Sequence, residues 1–188
     1  MKQYSMRFTG SGGQGVILAS VIFAEAAVLS GEHTVQSQAY GPEARGGTSK
    51  AETILSREQI LFSKVIQPNF LLALTQSALD KYAKELAPDA VVMADETLRI
   101  PDTLKRDQVI SAPILRTAKE KVGQEMTANI VAVGAINAAL GLFSPEIIQQ
   151  AVCSHIPKGT ETLNENALAE GEKLVSAAER ARFHRDVE

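Results

Sequence analysis

The 188-residue chain has no tryptophan, one cysteine and three histidines, and aromatic residues make up 5% of it. So few rings argue against a base-stacking surface for nucleic acid. A formal net charge of −3 gives no reason to expect nucleic acid or an anionic membrane as partner. The single cysteine, Cys153, rules out an internal disulfide framework and cannot by itself hold an iron–sulfur cluster or a structural zinc. Its setting, Ile147-Ile148-Gln149-Gln150-Ala151-Val152-Cys153, predicts the apolar side of a helix and a buried structural thiol. His33, His155 and His184 are scattered, without H-x-x-x-H or C-x-x-C spacing, so neither a metal set nor a catalytic residue is assigned. Long apolar runs are also missing. The longest, Val16 to Leu29, is interrupted by Glu25 and is too short to span a bilayer. A glycine cluster precedes it and no clear cleavage site follows, so it makes a poor signal peptide. A soluble, cytoplasmic protein is expected.

What the chain does contain is one domain's worth of α/β patterning over residues 1–188. Tyr4, Met6 and Phe8 alternate with Ser5 and Arg7, which predicts a strand with one apolar face and one more polar face. Gln14 to Ser30 reads as an apolar helix with Gly31 at its C-terminal stop. Thr34–Ser37 and Ser49–Leu55 read as strands. Phe70-Leu71-Leu72-Ala73-Leu74 and Val91-Val92-Met93-Ala94 are continuous apolar runs, as strands buried in a parallel sheet are. Between them, Ala78, Leu79, Tyr82, Ala83 and Leu86 recur at helical spacing and complete a β-α-β unit. Gln108–Ser111 extends the pattern, and Pro113 opens a helix through Val122. Ala128 to Leu140 is a second apolar helix of small residues around Gly134, suited to close packing at a centre or an interface. Ser144-Pro145-Glu146 starts another helix, and Leu163 to Phe183 reads as one long amphipathic helix. The expectation is a single three-layer α/β domain with a largely parallel sheet and a Rossmann-like, glycine-rich first β-α turn.

That turn is Gly10-Ser11-Gly12-Gly13-Gln14-Gly15, in which Gly10, Gly12 and Gly15 fit G-x-G-x-x-G. One reading is a tight strand-to-helix turn; the other is a cradle for a phosphate at a helix N-terminus. A dinucleotide site also wants an acidic residue at the end of the second strand, where this chain has Gln36-Ser37-Gln38. The adenosine half of that fingerprint is missing, and so is any G-x-x-x-x-G-K-[ST]. Gly10-Ser11-Gly12 lacks the G-x-S-x-G elbow of a nucleophile. Asp95, at a strand end, is placed for a site or for capping a turn or helix.

The other informative stretch is Tyr40-Gly41-Pro42-Glu43-Ala44-Arg45-Gly46-Gly47. It reads either as a rigid surface turn or as a loop in which Arg45 offers its planar guanidinium to an anion or a partner chain. From spacing alone the two readings stand level.

Together, Gly10-Ser11-Gly12-Gly13-Gln14-Gly15-Val16 and Ser37-Gln38-Ala39-Tyr40-Gly41-Pro42-Glu43-Ala44-Arg45-Gly46-Gly47 resemble the gamma subunit of 2-oxoacid:ferredoxin oxidoreductases. The similarity extends to Thr48-Ser49-Lys50-Ala51-Glu52 and Leu79-Asp80-Lys81-Tyr82 and covers essentially the whole chain. The motif form is most similar to 2-oxoglutarate members, with pyruvate and branched-chain members sharing much of it. The resemblance implies a complex that oxidatively decarboxylates a 2-oxoacid, passes the acyl group to coenzyme A and reduces ferredoxin or flavodoxin. It implies alpha and beta partners, with or without a ferredoxin-like delta chain. Thiamine diphosphate with Mg2+ and [4Fe-4S] clusters would lie on those partners, since this chain lacks the G-D-G…N pattern and a cysteine set. The two apolar helices and the Arg45 loop become expected contact surfaces, with a homodimer conceivable for the isolated chain. Gly10, Ser11, Gly12, Gly13, Gln14 and Gly15 are then candidates for a phosphate of coenzyme A, and Arg45 for an anion or partner contact. The alternative is a stand-alone nucleotide- or phosphometabolite-binding α/β protein.

Overall fold

The computed structural model describes residues 3–39 and 48–184. Its six strands lie in the order β2-β3-β1-β4-β5-β6. They are β1 (Tyr4–Ser11), β2 (His33–Ala39), β3 (Thr48–Ser56), β4 (Phe70–Ala73), β5 (Val91–Asp95) and β6 (Val109–Ala112). β1, β4, β5 and β6 pair in parallel, while β3 runs antiparallel to both β1 and β2, so it alone is reversed. The helices are α1 (Val16–Leu29), α2 (Gln76–Tyr82), α3 (Ile114–Thr117), α4 (Ala128–Leu140), α5 (Pro145–His155), α6 (Glu161–Glu172) and α7 (Ala177–Phe183).

Side-chain alternation along β4 sorts the layers. Phe70 and Leu72 join Met6, Phe8, Phe23 and most of α4 in the large core, whereas Leu71 and Ala73 meet Ala78, Leu79 and Tyr82 of α2 on the other side. A strand covered on both faces must be apolar throughout, which is why this run does not alternate. The large core also takes in residues of α5, α6 and α7. The result is three layers, with α1 and α3–α7 on one face and α2 on the other.

Four features depart from the sequence pattern. The more polar face of β1 is buried: Arg7 is 2% exposed, with Nε 2.7 Å from Glu52 Oε1. Its guanidinium also pairs with Glu85 and lies 5.1 Å from the Tyr82 ring centroid. The long C-terminal helix is two helices, because Ser176 and Glu179 form a reciprocal capping box that starts α7 afresh. Cys153 is exposed rather than buried. The inward residues of α5 are Ile148, Ala151 and Val152, and the next position turns about 100° away from them. Finally, α4 is central. Every residue from Ala128 to Asn137 is buried within the domain, so of the two places its small residues suit, a centre or an interface, this helix takes the centre.

Candidate functional site

The sheet places the site before any side chain is considered. β1 and β4 are parallel neighbours, yet the helix after β1 packs on one face and the helix after β4 on the other. At such a switch the two connections diverge and leave a crevice at the carboxyl ends of the strands. The Gly10–Gly15 turn lies at that point.

Its conformation is held from within. The Ser11 N–H donates to Gln14 Oε1 at 2.7 Å, and the Gln14 N–H donates back to the Ser11 carbonyl at 3.3 Å. Gln14 Nε2 reaches the Leu74 carbonyl of the neighbouring connection at 3.5 Å. A side chain on Gly10 would stand 2.6 Å from Gln14 Oε1, so that glycine is where Gln14 folds back. Gly15 has φ 69°, and a Cβ there would lie 2.7 Å from the amide of Asn129 on α4. At Gly12 neither reason applies: its φ is not positive, and none of the described residues beyond its chain neighbours lies within 4 Å of where its Cβ would be.

The turn delivers α1 with its first amides unclaimed by any side chain. Thr75, Ser144 and Ser176 each cap the helix that follows them, whereas Gly15 supplies no such group and α1 has no acidic residue in its first turn. Among the described residues, no side chain therefore compensates the positive end of the helix dipole. The turn that leads into the helix borders a cavity of about 590 Å³, where Gly12, Gly13 and Gln14 meet Arg116, Lys119, Glu120 and Glu125. The two cations have carboxylate partners: Arg116 Nε lies 2.9 Å from Glu96 Oε1, and Lys119 Nζ 2.9 Å from Glu125 Oε1. The Lys119 pKa is raised, first by its hydrogen bond to Glu125 and then by that carboxylate's charge.

Asp95 resolves to a positioning role. It is wholly buried; Oδ1 accepts from the N–H and hydroxyl of Thr97, and Oδ2 from the Leu115 N–H at 2.9 Å. It thereby fixes the start of α3, which carries Leu115 and Arg116 to the cavity wall. Neither Arg116, Lys119 nor Asn129 is marked by a sequence motif; the fold alone brings them to the glycine turn. Arg45 and the rest of Tyr40–Gly47 lie outside the described residues. Among the described residues no group of three or more His, Cys, Asp or Glu is placed to hold a metal ion. No helix among them is long and apolar enough to cross a membrane.

A glycine turn at a switch point is shared by many α/β proteins, and comparison with known proteins narrows the field. The family model for pyruvate ferredoxin/flavodoxin oxidoreductase matches residues 5–172. The chain belongs to this family. Among curated relatives, the 2-oxoglutarate synthase subunit KorC of Methanocaldococcus jannaschii is 42% identical over 169 residues, spanning 88% of this chain and 90% of that one. Among solved structures, the keto/oxoacid ferredoxin oxidoreductase gamma subunit of Geobacter sulfurreducens is 45% identical. It superposes with a TM-score of 0.79 and covers 90% of this chain and 96% of that one. A 2-oxoglutarate:ferredoxin oxidoreductase from Magnetococcus marinus, solved with 2-oxoglutarate, coenzyme A and succinyl-CoA bound, shares the fold at 18% identity and a TM-score of 0.83. That match covers 93% of this chain but 31% of the larger one. As a member of this family the chain is a subunit of a 2-oxoacid:ferredoxin oxidoreductase, and 90% of it superposes on a gamma subunit.

Proposed function

We propose that this gamma subunit serves a cytoplasmic complex that oxidatively decarboxylates 2-oxoglutarate to succinyl-CoA, and that its Gly10–Gly15 turn holds a phosphate of coenzyme A. Gly12 carries the second part of the reading. Glycine costs about 0.5–1 kcal/mol relative to alanine in backbone freedom. Neither its φ nor any neighbour among the described residues requires the missing Cβ at Gly12, which lines the cavity. A group that approaches this backbone closely gives a reason for a glycine there. The uncapped start of α1 beside it favours that group being an anion.

2-Oxoglutarate is favoured over pyruvate because relatives that match nearly the whole chain at about 40% identity are 2-oxoglutarate synthase subunits. Thiamine diphosphate, Mg2+ and [4Fe-4S] clusters belong on alpha, beta and delta-type partners, and ferredoxin or flavodoxin takes the electrons. This chain's own residues do not fit a cluster: its whole sequence holds one cysteine. Its part is to hold coenzyme A where partner chains present the acyl group.

The test is coenzyme A affinity of the reconstituted complex with the natural gamma chain and with Gly12→Asp. A carboxylate at that position fills the space and repels phosphate, and a loss of at least tenfold in affinity is expected. Equal affinity would remove the turn from the coenzyme A site.

A further inference from the structure

α4 carries two buried asparagines whose situations differ. Asn137 is satisfied at both ends of its amide: Nδ2 donates to the Phe143 carbonyl at 3.0 Å, and Oδ1 accepts from the Phe143 N–H at 3.1 Å. Asn164 on α6 is likewise paired, with Thr160. Asn129 is 4% exposed, and its amide makes no hydrogen bond among the described residues. Burying an amide without a partner carries the full cost of its desolvation, so an unsatisfied one calls for a cause. Nor is it sealed off, for its amide atoms are not among the wholly buried, partnerless ones.

Its direction supplies the cause. The Asn129 amide carbon and Nδ2 each stand 2.7 Å from the point a Gly15 Cβ would occupy, so the amide lies against the residue that starts α1. The preceding residue, Ala128, lines the same cavity as Gly12, Gly13 and Gln14. An uncapped helix start and an unpartnered buried amide therefore meet at one place.

We propose that Asn129 is a ligand-binding residue, its Nδ2 donating to the phosphate oxygen held at the start of α1. This rests on the glycine turn being the coenzyme A phosphate site and adds to it a side-chain donor from a different helix. Gly15 is then glycine for two reasons, its left-handed backbone and the room it leaves for this amide.

The proposal separates a binding role from a structural one, because the two predict opposite stability changes. Asn129→Leu keeps the branched outline and removes the unpaired amide, and Asn129→Asp keeps the shape and places a carboxylate where phosphate would sit. The Tm of the full-length chain and the coenzyme A Kd of the reconstituted complex are measured for both variants and for Gly12→Asp. Asn129→Leu is expected to melt at the same temperature as the natural chain or higher, with Kd weakened about tenfold. Asn129→Asp is expected to weaken Kd further. A lower Tm for Asn129→Leu, or an unchanged Kd for either variant, overturns the assignment. If Gly12→Asp also binds normally, the coenzyme A reading of the turn fails with it. If Gly12→Asp alone loses coenzyme A, only Asn129 is excluded.

Discussion

Gly134 of α4 and Gly171 of α6 are each other's reason for being glycine. A Cβ on Gly134 would lie 2.1 Å from the Leu168 carbonyl oxygen, and a Cβ on Gly171 would lie 2.1 Å from that of Val131. The two helices cross with backbone against backbone, and neither position has room for a methyl group. Gly134→Ala or Gly171→Ala forces the helices apart and is expected to destabilise the chain by about 3 kcal/mol. In a chain of this size, that lowers Tm by roughly 6–12 °C. Gly12→Ala is the contrasting control, since its Cβ meets open space; its stability should stay within about 0.5 kcal/mol. Calorimetry on the three variants decides, and equal losses would contradict the packing.

Arg7 is buried on β1 between Glu52 and Glu85, whose side chains are 8% and 46% exposed. Arg7→Met leaves the Glu52 carboxylate with Lys50, whose Nζ lies 3.2 Å from Oε1, as its remaining cation, at an expected cost of about 1.5–3 kcal/mol. Glu85→Gln should cost about 1 kcal/mol or less, because water already screens that half-exposed carboxylate. Denaturant unfolding of Arg7→Met, Glu52→Leu and the double variant measures the coupling. The double variant should recover most of the loss, and strict additivity would show that the pair does not act as a unit.

Asp95 ties the end of β5 to α3 through Leu115. Asp95→Ala removes the acceptor of the part-buried N–H groups of Thr97 and Leu115 and should destabilise by about 1–2 kcal/mol. Since Leu115 and Arg116 line the cavity, coenzyme A affinity should fall with it even though Asp95 is not among the lining residues. Native-state hydrogen exchange would report early loss of protection at Leu115. Unchanged protection there would refute the capping role.

Cys153 projects from α5 toward α6. Its thiol pKa is raised, first by partial desolvation and then by the carboxylates of Glu165 and Glu161. A raised pKa means less thiolate at a given pH. The folded chain should therefore react stoichiometrically with iodoacetamide, but more slowly at pH 8 than free cysteine, with a rate still climbing above pH 9. Glu165→Gln should speed the reaction. A thiol that reacts only after unfolding would contradict its exposure.

Local chemistry alone determined much of the architecture: the β-α-β order, the helix starts at Ser144-Pro145 and the glycine turn. These depend on side-chain periodicity and backbone preference within a few residues, which the chain carries wherever it folds. The paired motifs, Gly10–Gly15 and Tyr40–Gly47, were enough to indicate the family. The S-x-x-E spacing of Ser176 and Glu179 was also readable and marks the break that divides the C-terminal helices.

Long-range packing decided the rest. Periodicity shows that Arg7 faces away from Met6 and Phe8, but not that Glu52 and Glu85 from distant segments close over it. Nor does Cys153's place beside an apolar run reveal which side of α5 is covered, a matter of where α1 and α6 lie. The reversed direction of β3 depends on its pairing with β1 and β2. Above all, Asn129 and Gly15 are more than a hundred positions apart, and only the packing of α4 against α1 sets that amide at the helix start. An asparagine in an apolar helix is ordinary; one buried without a partner beside an uncapped helix becomes visible only once the chain has folded.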